Sequence, residues 1–167
     1  MKVALKAMPL EFSGKDHSRF WAKVDKSEGC WDWTACTDRH GYGRFTIKHS
    51  AYVAHRVAYA MMAGPIPDSM EIDHACHNRA CVRPDHLRLA TRKQNAENPA
   101  GLVSKNKSGV HGVHWDPRTR KWKAQVSHHN QKIAIGYFAT LTAAEAAVVA
   151  KRMALFTHNE LDRRVAI

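Results

Sequence analysis

The chain has 167 residues, of which 26 are Lys or Arg and 15 are Asp or Glu, so its formal net charge is +11. Such a basic excess favours a polyanionic partner, nucleic acid above all, although a merely soluble basic protein can have the same composition. No apolar run is long enough to cross a bilayer, and Lys6 interrupts the short apolar stretch near the N-terminus. We therefore expect neither a membrane segment nor a secretory signal.

The first part of the chain predicts short strands alternating with helices. In chain order the predicted elements are a helix over 12–26, strands over 31–34 and 44–47, a helix over 51–63, strands over 70–74 and 87–90, and a helix beginning at Arg92. Thr91 and Gln94 have the spacing of a capping box, which supports the start of this last helix.

The composition changes after residue 98. Residues 99–107 are rich in Pro, Gly, Ser and Lys and predict a linker. The elements predicted beyond it are strands over 111–115, 122–127 and 132–138 and a helix over 142–156. Two small domains are therefore expected, and because small domains bury a modest core, a structural metal would add to their stability.

A cluster of potential metal ligands follows the strand predicted over 70–74. Cys76, Cys81 and His86 lie within eleven residues, and two thiolates and an imidazole can hold a tetrahedral zinc ion if a fourth ligand completes the site. Cys30 or Cys36 can supply that ligand, and we favour Cys30. The alternative is a set of ordinary buried thiols beside a surface histidine.

Asp73 and His74 stand together at the end of the same predicted strand. A carboxylate can bind a hard cation, and a neighbouring histidine can take a proton from water. Asn95, in the first turn of the helix predicted from Arg92, offers an amide oxygen of the kind that Mg²⁺ or Mn²⁺ accepts. This combination suits the hydrolysis of a phosphodiester bond, although an adjacent Asp and His more often form a surface ion pair.

The segment EIDHACHNRACVRPDHLRLATRKQN resembles the ββα-metal nuclease motif, in particular the His-Cys box branch of homing endonucleases. Cys76, Cys81, His86 and Asn95 follow His74 by 2, 7, 12 and 21 residues, as the zinc ligands and the metal-binding asparagine of that branch follow its general-base histidine. Asp73 is similar to the metal-binding aspartate of the phage-type His-Asn-His (HNH) homing endonucleases.

The wider resemblance to HNH proteins common in phage genomes covers residues 28–98. It implies that Asp73 and Asn95 hold a catalytic Mg²⁺ or Mn²⁺ ion and that His74 is the general base. It further implies that Cys30, Cys76, Cys81 and His86 bind a structural Zn²⁺, with His86 in place of the loop-bracing asparagine of many members. An arginine beside the scissile phosphate is also implied, and Arg44 and Arg56 are both candidates for it.

Residues 108–156 resemble the AP2 DNA-binding domain, in which a three-stranded sheet enters the major groove and a helix packs behind it. The resemblance lies in the GVHW start of the first strand, in Trp122 with Ala124, and in Gly136-Tyr137-Phe138. It implies DNA contacts by a set of polar and aromatic side chains. They are His114, Arg118, Arg120, Trp122, Lys123, Gln125 and Lys132. For Trp122 the alternative is packing in the core.

The predicted fold class is α+β, with an HNH nuclease domain over 1–98 (core about 28–98), a linker over 99–107 and an AP2-like domain over 108–167. The expected function is metal-dependent cleavage of double-stranded DNA by a monomer or homodimer, in the cytoplasm of the bacterial host if a phage encodes the chain. The alternatives are a DNA-binding regulator whose nuclease site is unused, and a restriction or host-DNA-degrading nuclease.

Overall fold

The computed structural model describes residues 11–99, 101–102 and 106–165, and the side chains of residues 161, 164 and 165 are not described. Part of the predicted linker, and the N-terminal stretch containing Lys6, lie outside these residues. The chain divides into two compact units, Met1–Arg92 and Lys93–Ile167. Within the described ranges, none of the helices combines the length and apolarity needed to span a bilayer.

The unit Met1–Arg92 is built from short antiparallel hairpins and helices. Its elements are α1 (Gly14–Trp21), β1 (Val24–Lys26), β2 (Trp31–Trp33), β3 (Arg44–Ile47), β4 (Ser50–Val53), α2 (Ala54–Ala63), β5 (Glu71–His74), a 3-10 turn (Pro84–His86) and β6 (Leu87–Ala90). Three antiparallel pairs form, β1 with β2, β3 with β4, and β5 with β6. The helix α3 (Arg92–Glu97) begins at the last residue of this unit.

Aromatic side chains fill the centre of this unit. The ring of Phe20 lies 5.1 Å from that of Trp33 and 5.2 Å from that of Phe45. Phe45 and Ile47 alternate with exposed residues along β3, as expected for a strand with one buried face. A methyl group at Gly43 would lie 2.6 Å from the Trp33 ring, so the close packing of β3 on this ring requires glycine. The core therefore fixes β2 and β3 against α1.

The unit Lys93–Ile167 is a three-stranded antiparallel sheet covered by a helix. Its elements after α3 are β7 (Val113–Asp116), β8 (Lys121–His128), β9 (Gln131–Phe138), α4 (Leu141–Leu155) and α5 (Glu160–Val165), and the strand order is β7-β8-β9. Ala124 and Val126 of β8 are buried together with Ala144 and Val148 of α4. The small side chains allow the helix to approach the sheet closely. The other sheet face carries mainly polar residues, with the exposed Tyr137 next to Lys123.

Most of the predicted elements are confirmed, with three differences. Residues 24–26, predicted as the end of the first helix, form β1 because they pair with Trp31–Trp33. Residues 51–53, predicted as the start of the second helix, belong to β4, in which Tyr52 pairs with Phe45. The helix α5 was not predicted. Each strand depends on a partner elsewhere in the chain, so local periodicity misassigned it.

The division after Arg92 lies upstream of the predicted domain boundary at residue 98. Most of α3, including Asn95, therefore belongs with the C-terminal unit by its contacts. The predicted limits of the nuclease domain, the linker and the DNA-binding domain stay a prediction.

Candidate active site and metal centre

Asp73 and His74 end strand β5 and are both buried, with 4 % and 7 % of their surfaces exposed. Strand β6 pairs with β5 in register, and Asp73 faces Arg88 while His74 faces Leu87. A tight turn follows immediately, in which His77 has a positive φ of 61° and donates its backbone N–H to the His74 carbonyl. The hairpin thus holds two ionisable side chains rigidly at a strand end.

The ring of His74 is oriented by a backbone carbonyl. Its Nε2 lies 3.2 Å from the carbonyl oxygen of Cys81, and because a carbonyl oxygen only accepts, Nε2 is the donor. In the neutral ring this tautomer leaves the lone pair on Nδ1. Burial lowers the pKa of His74, and this effect exceeds the opposing influence of Cys76 and Asp73. A neutral His74 with its lone pair on Nδ1 can act as a proton acceptor.

Arg88 pairs with the Asp73 carboxylate. Its Nε donates to Asp73 Oδ2 over 2.9 Å, and its Nη2 lies 2.9 Å from the same oxygen. The guanidinium compensates the charge of a carboxylate that has little access to water. Arg88 therefore fixes the orientation of Asp73 and belongs to the site, although no sequence motif identified it.

His55 is a second buried histidine beside His74. Their ring centroids lie 4.5 Å apart, and Tyr42 packs against both rings at 5.3 and 6.0 Å. Burial lowers the pKa of His55 well below its ordinary value, and the neighbouring His74 lowers it further. Among the described residues His55 Nδ1 has no hydrogen-bond partner. Both shifts favour the neutral rings, which pack as an aromatic cluster with Tyr42. The Arg79 guanidinium lies 5.5 Å from the centroid of the Tyr42 ring.

A group of three cysteines and one histidine lies next to this cluster. The ligand atoms of Cys30, Cys76, Cys81 and His86 are all within 4.8 Å of one another, so the group can hold a metal ion. Strand β2 follows Cys30 directly and positions it there. Asp32 of this strand forms an antiparallel bridge with Cys81, and the backbone N–H of Val82 donates to the Trp31 carbonyl over 2.8 Å. Cys36 comes after β2, and its exposed thiol is not part of the group.

The donor set and its spacing fit zinc. His86 Nδ1 lies 3.7 Å from Cys30 Sγ and 3.6 Å from Cys81 Sγ. Zinc bonds of about 2.3 Å to sulfur and about 2.0 Å to nitrogen, at a tetrahedral angle, separate the two ligands by about 3.5 Å. The Cys81 thiol lowers the pKa of Cys76 to about 5, and the pKa of Cys81 is raised in turn. A bound cation would stabilise both thiolates and so allow both cysteines to be deprotonated together.

The two candidate arginines lie in different surroundings. Arg44 is exposed on β3, and it contributes to lowering the pKa of Asp38. Arg56 is half-buried on α2, directly after His55, and burial lowers its pKa while Glu71 raises it. The position of Arg56 beside the buried histidines makes it the stronger candidate for a phosphate contact, and the role of either arginine stays a prediction.

Asn95 is half-buried on α3, within the C-terminal unit. Its part in a cation site with Asp73 stays a prediction that rests on its distance from His74 along the sequence.

The predicted DNA contacts of the C-terminal sheet divide between its two faces and a turn. His114 pairs with Lys123 across β7 and β8, on the face away from α4, and Gln125 and Lys132 follow on the same side by strand alternation. Arg118 and Arg120 are exposed in the turn between these strands. Trp122 lies on the opposite face with Ala124, where it packs against the core and against Trp115 at 5.2 Å. Its position favours the packing role over a base contact.

Comparisons with known proteins agree with the nuclease-like part of the chain. Residues 52–97 match the family model described as HNH endonuclease. The chain is similar to Protein 7.7 of Escherichia phage T7, with 35 % identity over 71 residues, which covers 42 % of this chain and 55 % of that protein. It is also similar to Protein 2.8 of the same phage, with 30 % identity over 82 residues, covering 49 % of this chain and 55 % of that protein.

An uncharacterized gene 5.3 protein of Enterobacteria phage T3 is 34 % identical over 64 residues, covering 35 % of this chain and 63 % of that protein. The chain thus spans between about half and just under two thirds of the length of these relatives. No solved structure matches the chain significantly.

Proposed function

We propose that this protein is a metal-dependent DNA endonuclease in which His74 is the general base. The observation that carries the proposal is the contact of His74 Nε2 with the Cys81 carbonyl, which orients the buried ring next to Asp73 at the end of β5. The match of residues 52–97 to the HNH endonuclease model supports the same chemistry. The basic charge of +11 suits a DNA substrate.

In the proposed reaction His74 Nδ1 takes a proton from a water molecule, which attacks the scissile phosphorus. The bond between phosphorus and the 3′ oxygen breaks, the departing oxygen takes a proton from solvent, and the products are a 5′-phosphate and a 3′-hydroxyl. Asp73 and Asn95 offer carboxylate and amide oxygens, the ligand types that Mg²⁺ and Mn²⁺ accept. A cation bound there would stabilise negative charge on the phosphate and the leaving oxygen.

Arg88 orients the Asp73 carboxylate in this scheme, and Arg56, or else Arg44, neutralises the phosphate. The Cys30, Cys76, Cys81 and His86 group is proposed to bind structural Zn²⁺. Its role is to tie β2 to the loop that ends at Cys81, whose carbonyl orients the base. The zinc ligands thereby act on the chemistry only through the position of His74.

The C-terminal sheet is proposed to bind double-stranded DNA through the face that carries His114, Lys123, Gln125 and Lys132, as the AP2 resemblance implies. Lysine suits phosphate contacts, and glutamine can read an adenine edge in the major groove. The arginines of the β7–β8 turn, Arg118 and Arg120, extend this positive surface. This binding is expected to place the nuclease site on its substrate.

Cleavage of supercoiled plasmid with Mg²⁺ or Mn²⁺ tests the proposal. His74→Asn is expected to abolish cleavage while DNA binding and zinc content are unchanged. The matched control is His49→Asn, because His49 is exposed in the β3–β4 turn, where its φ of 63° also suits asparagine. Undiminished cleavage by His74→Asn, or DNA binding by the wild type without cleavage in either cation, would contradict the proposal.

A further inference from the structure

The short helix α3, which carries Asn95, is held by side chains of the C-terminal unit. Gln94 Nε2 donates to Thr157 Oγ1 over 3.1 Å. Asn98, just after the helix, accepts the backbone N–H of Glu160 through its Oδ1 over 3.2 Å. These contacts lie on both sides of Asn95 in the sequence and join α3 to the segment that leads into α5.

Glu97 provides a further, buried contact. Only 6 % of its surface is exposed, and its Oε1 lies 2.8 Å from Lys93 Nζ and 3.4 Å from His128 Nδ1. His128, at the end of β8, stacks on Phe156 with 6.0 Å between ring centroids, and Phe156 packs against the core of the unit. Glu97 therefore contacts Lys93 within its own helix and His128 at the end of β8, so its buried side chain connects α3 to the sheet.

The surface that receives α3 is itself rigidly built. Arg152 of α4 forms two contacts of 2.6 Å with the carboxylate of Asp162 on α5, and its Nη1 donates to the His111 carbonyl over 2.6 Å. Asn159, which precedes α5, also donates to Asp162. These contacts fix the segment that contains Thr157 and Glu160 to α4 and to the residues just before β7.

The length of α3 makes these contacts necessary. It has six residues, and a helix of this length is unstable by itself because helices shorter than about 12 residues are marginal in water. Its conformation must therefore come from the groups that it packs against, and the residues that hold it also set the orientation of Asn95.

We propose that Gln94, Glu97 and Asn98 are positioning residues, which fix α3 to the C-terminal unit and so hold Asn95 in the orientation that binds the catalytic cation. This inference rests on the proposed function, specifically on Asn95 as a ligand of the cation.

The test uses the full-length, zinc-loaded protein with Glu97→Gln and Thr157→Val as variants. Glutamine preserves the shape of Glu97 without its charge, and valine preserves the shape of Thr157 without its hydroxyl. The matched controls are Glu145→Gln, since Glu145 is exposed on α4, and Thr157→Ser, which retains the hydroxyl that accepts from Gln94. Hydrogen exchange is measured without added cation, and Mn²⁺ binding is measured by electron paramagnetic resonance.

We expect faster exchange of the α3 amides in Glu97→Gln and Thr157→Val, with the β8 amides unchanged, and Mn²⁺ binding about tenfold weaker. In an Asn95→Ala background Glu97→Gln should weaken Mn²⁺ binding no further, because the ligand that it positions is already absent. A purely structural role of Glu97 would add to the effect of Asn95→Ala. In cleavage assays kcat should fall while KM for DNA is unchanged.

Two outcomes would overturn the inference, and they are distinguishable. If Asn95→Ala weakens Mn²⁺ binding while Glu97→Gln and Thr157→Val behave like their controls, the positioning role is wrong and the proposed function stands. If Asn95→Ala binds Mn²⁺ as the wild type does, the ligand assignment in the proposed function is wrong, and the positioning role is wrong with it.

Discussion

Arg88 and Asp73 face each other across β6 and β5, and the Arg88 guanidinium binds a carboxylate that is 4 % exposed. A buried carboxylate needs compensating charge, and the same carboxylate is proposed to bind a divalent cation. The stability of the hairpin and the binding of the cation therefore depend on one group. The arginine satisfies Asp73 when no cation is bound.

We predict that Arg88→Met lowers the free energy of unfolding by about 2 kcal/mol in the absence of divalent cations. The cost is moderated because Arg88 is 28 % exposed and water can partly replace it. Since a cation would compensate Asp73 in its place, saturating Mn²⁺ should raise the melting temperature more in this variant than in the wild type. Arg92→Met is the control, because the Arg92 side chain is 82 % exposed. Equal Mn²⁺ effects in all three proteins would argue against Asp73 as a ligand.

The zinc proposal distinguishes between two cysteines. Cys30→Ser should reduce the zinc content from one ion per chain to nearly none and destabilise the protein, because Cys30 belongs to the four-ligand group. Cys36→Ser, the same substitution at an exposed thiol outside the group, should retain the full zinc content. Atomic emission spectroscopy of the dialysed proteins measures this directly. Retention of zinc by Cys30→Ser would remove Cys30 from the ligand set.

The buried His55 predicts a loss of stability in mild acid. Its pKa in the folded chain is well below the ordinary value of 6.5, so the unfolded chain takes up a proton that the folded chain does not. The stabilisation is complete above pH 6.5 and falls by up to about 1.4 kcal/mol for each pH unit below it. Thermal unfolding between pH 8 and pH 5 should show a shallower acid loss for His55→Gln than for the wild type. The control His49→Gln, at an exposed position, should follow the wild type, and an unchanged slope in His55→Gln would refute the prediction.

The polar face of the C-terminal sheet predicts a salt-dependent DNA affinity. Lys123→Gln and Lys132→Gln should each weaken binding and reduce the slope of log affinity against log salt by about 1, because each removes one phosphate contact. Trp122→Phe should leave affinity unchanged, since Trp122 packs on the other face. Lys151→Gln, on the helix behind the sheet, is the charge-matched control. Fluorescence anisotropy with labelled duplex DNA measures all four, and equal effects of Lys151→Gln and Lys123→Gln would refute binding by this face.

Much of the secondary structure could be predicted, because helix periodicity, strand alternation and turn residues are local signals. The strand over 44–47 and the start of α3 at Arg92 were identified in this way. Residues 51–53 were not, because Tyr52 is in a strand only through its pairing with Phe45. The contact of Arg88 with Asp73 could not be predicted for the same reason, because only the register of β5 with β6 places the two residues opposite each other.

The sequence by itself determined the chemical groups and their order: an Asp-His pair, then two cysteines and a histidine at short intervals, then an asparagine at the start of a helix. Their closeness along the chain was enough to predict a metal group. Only the tertiary structure decided that Cys30, and not Cys36, lies beside Cys81, since this depends on the pairing of β2 with a loop about 50 residues away. It also decided that α3 is held by the C-terminal unit. Contacts between distant segments arise from packing and strand register, which no local pattern encodes.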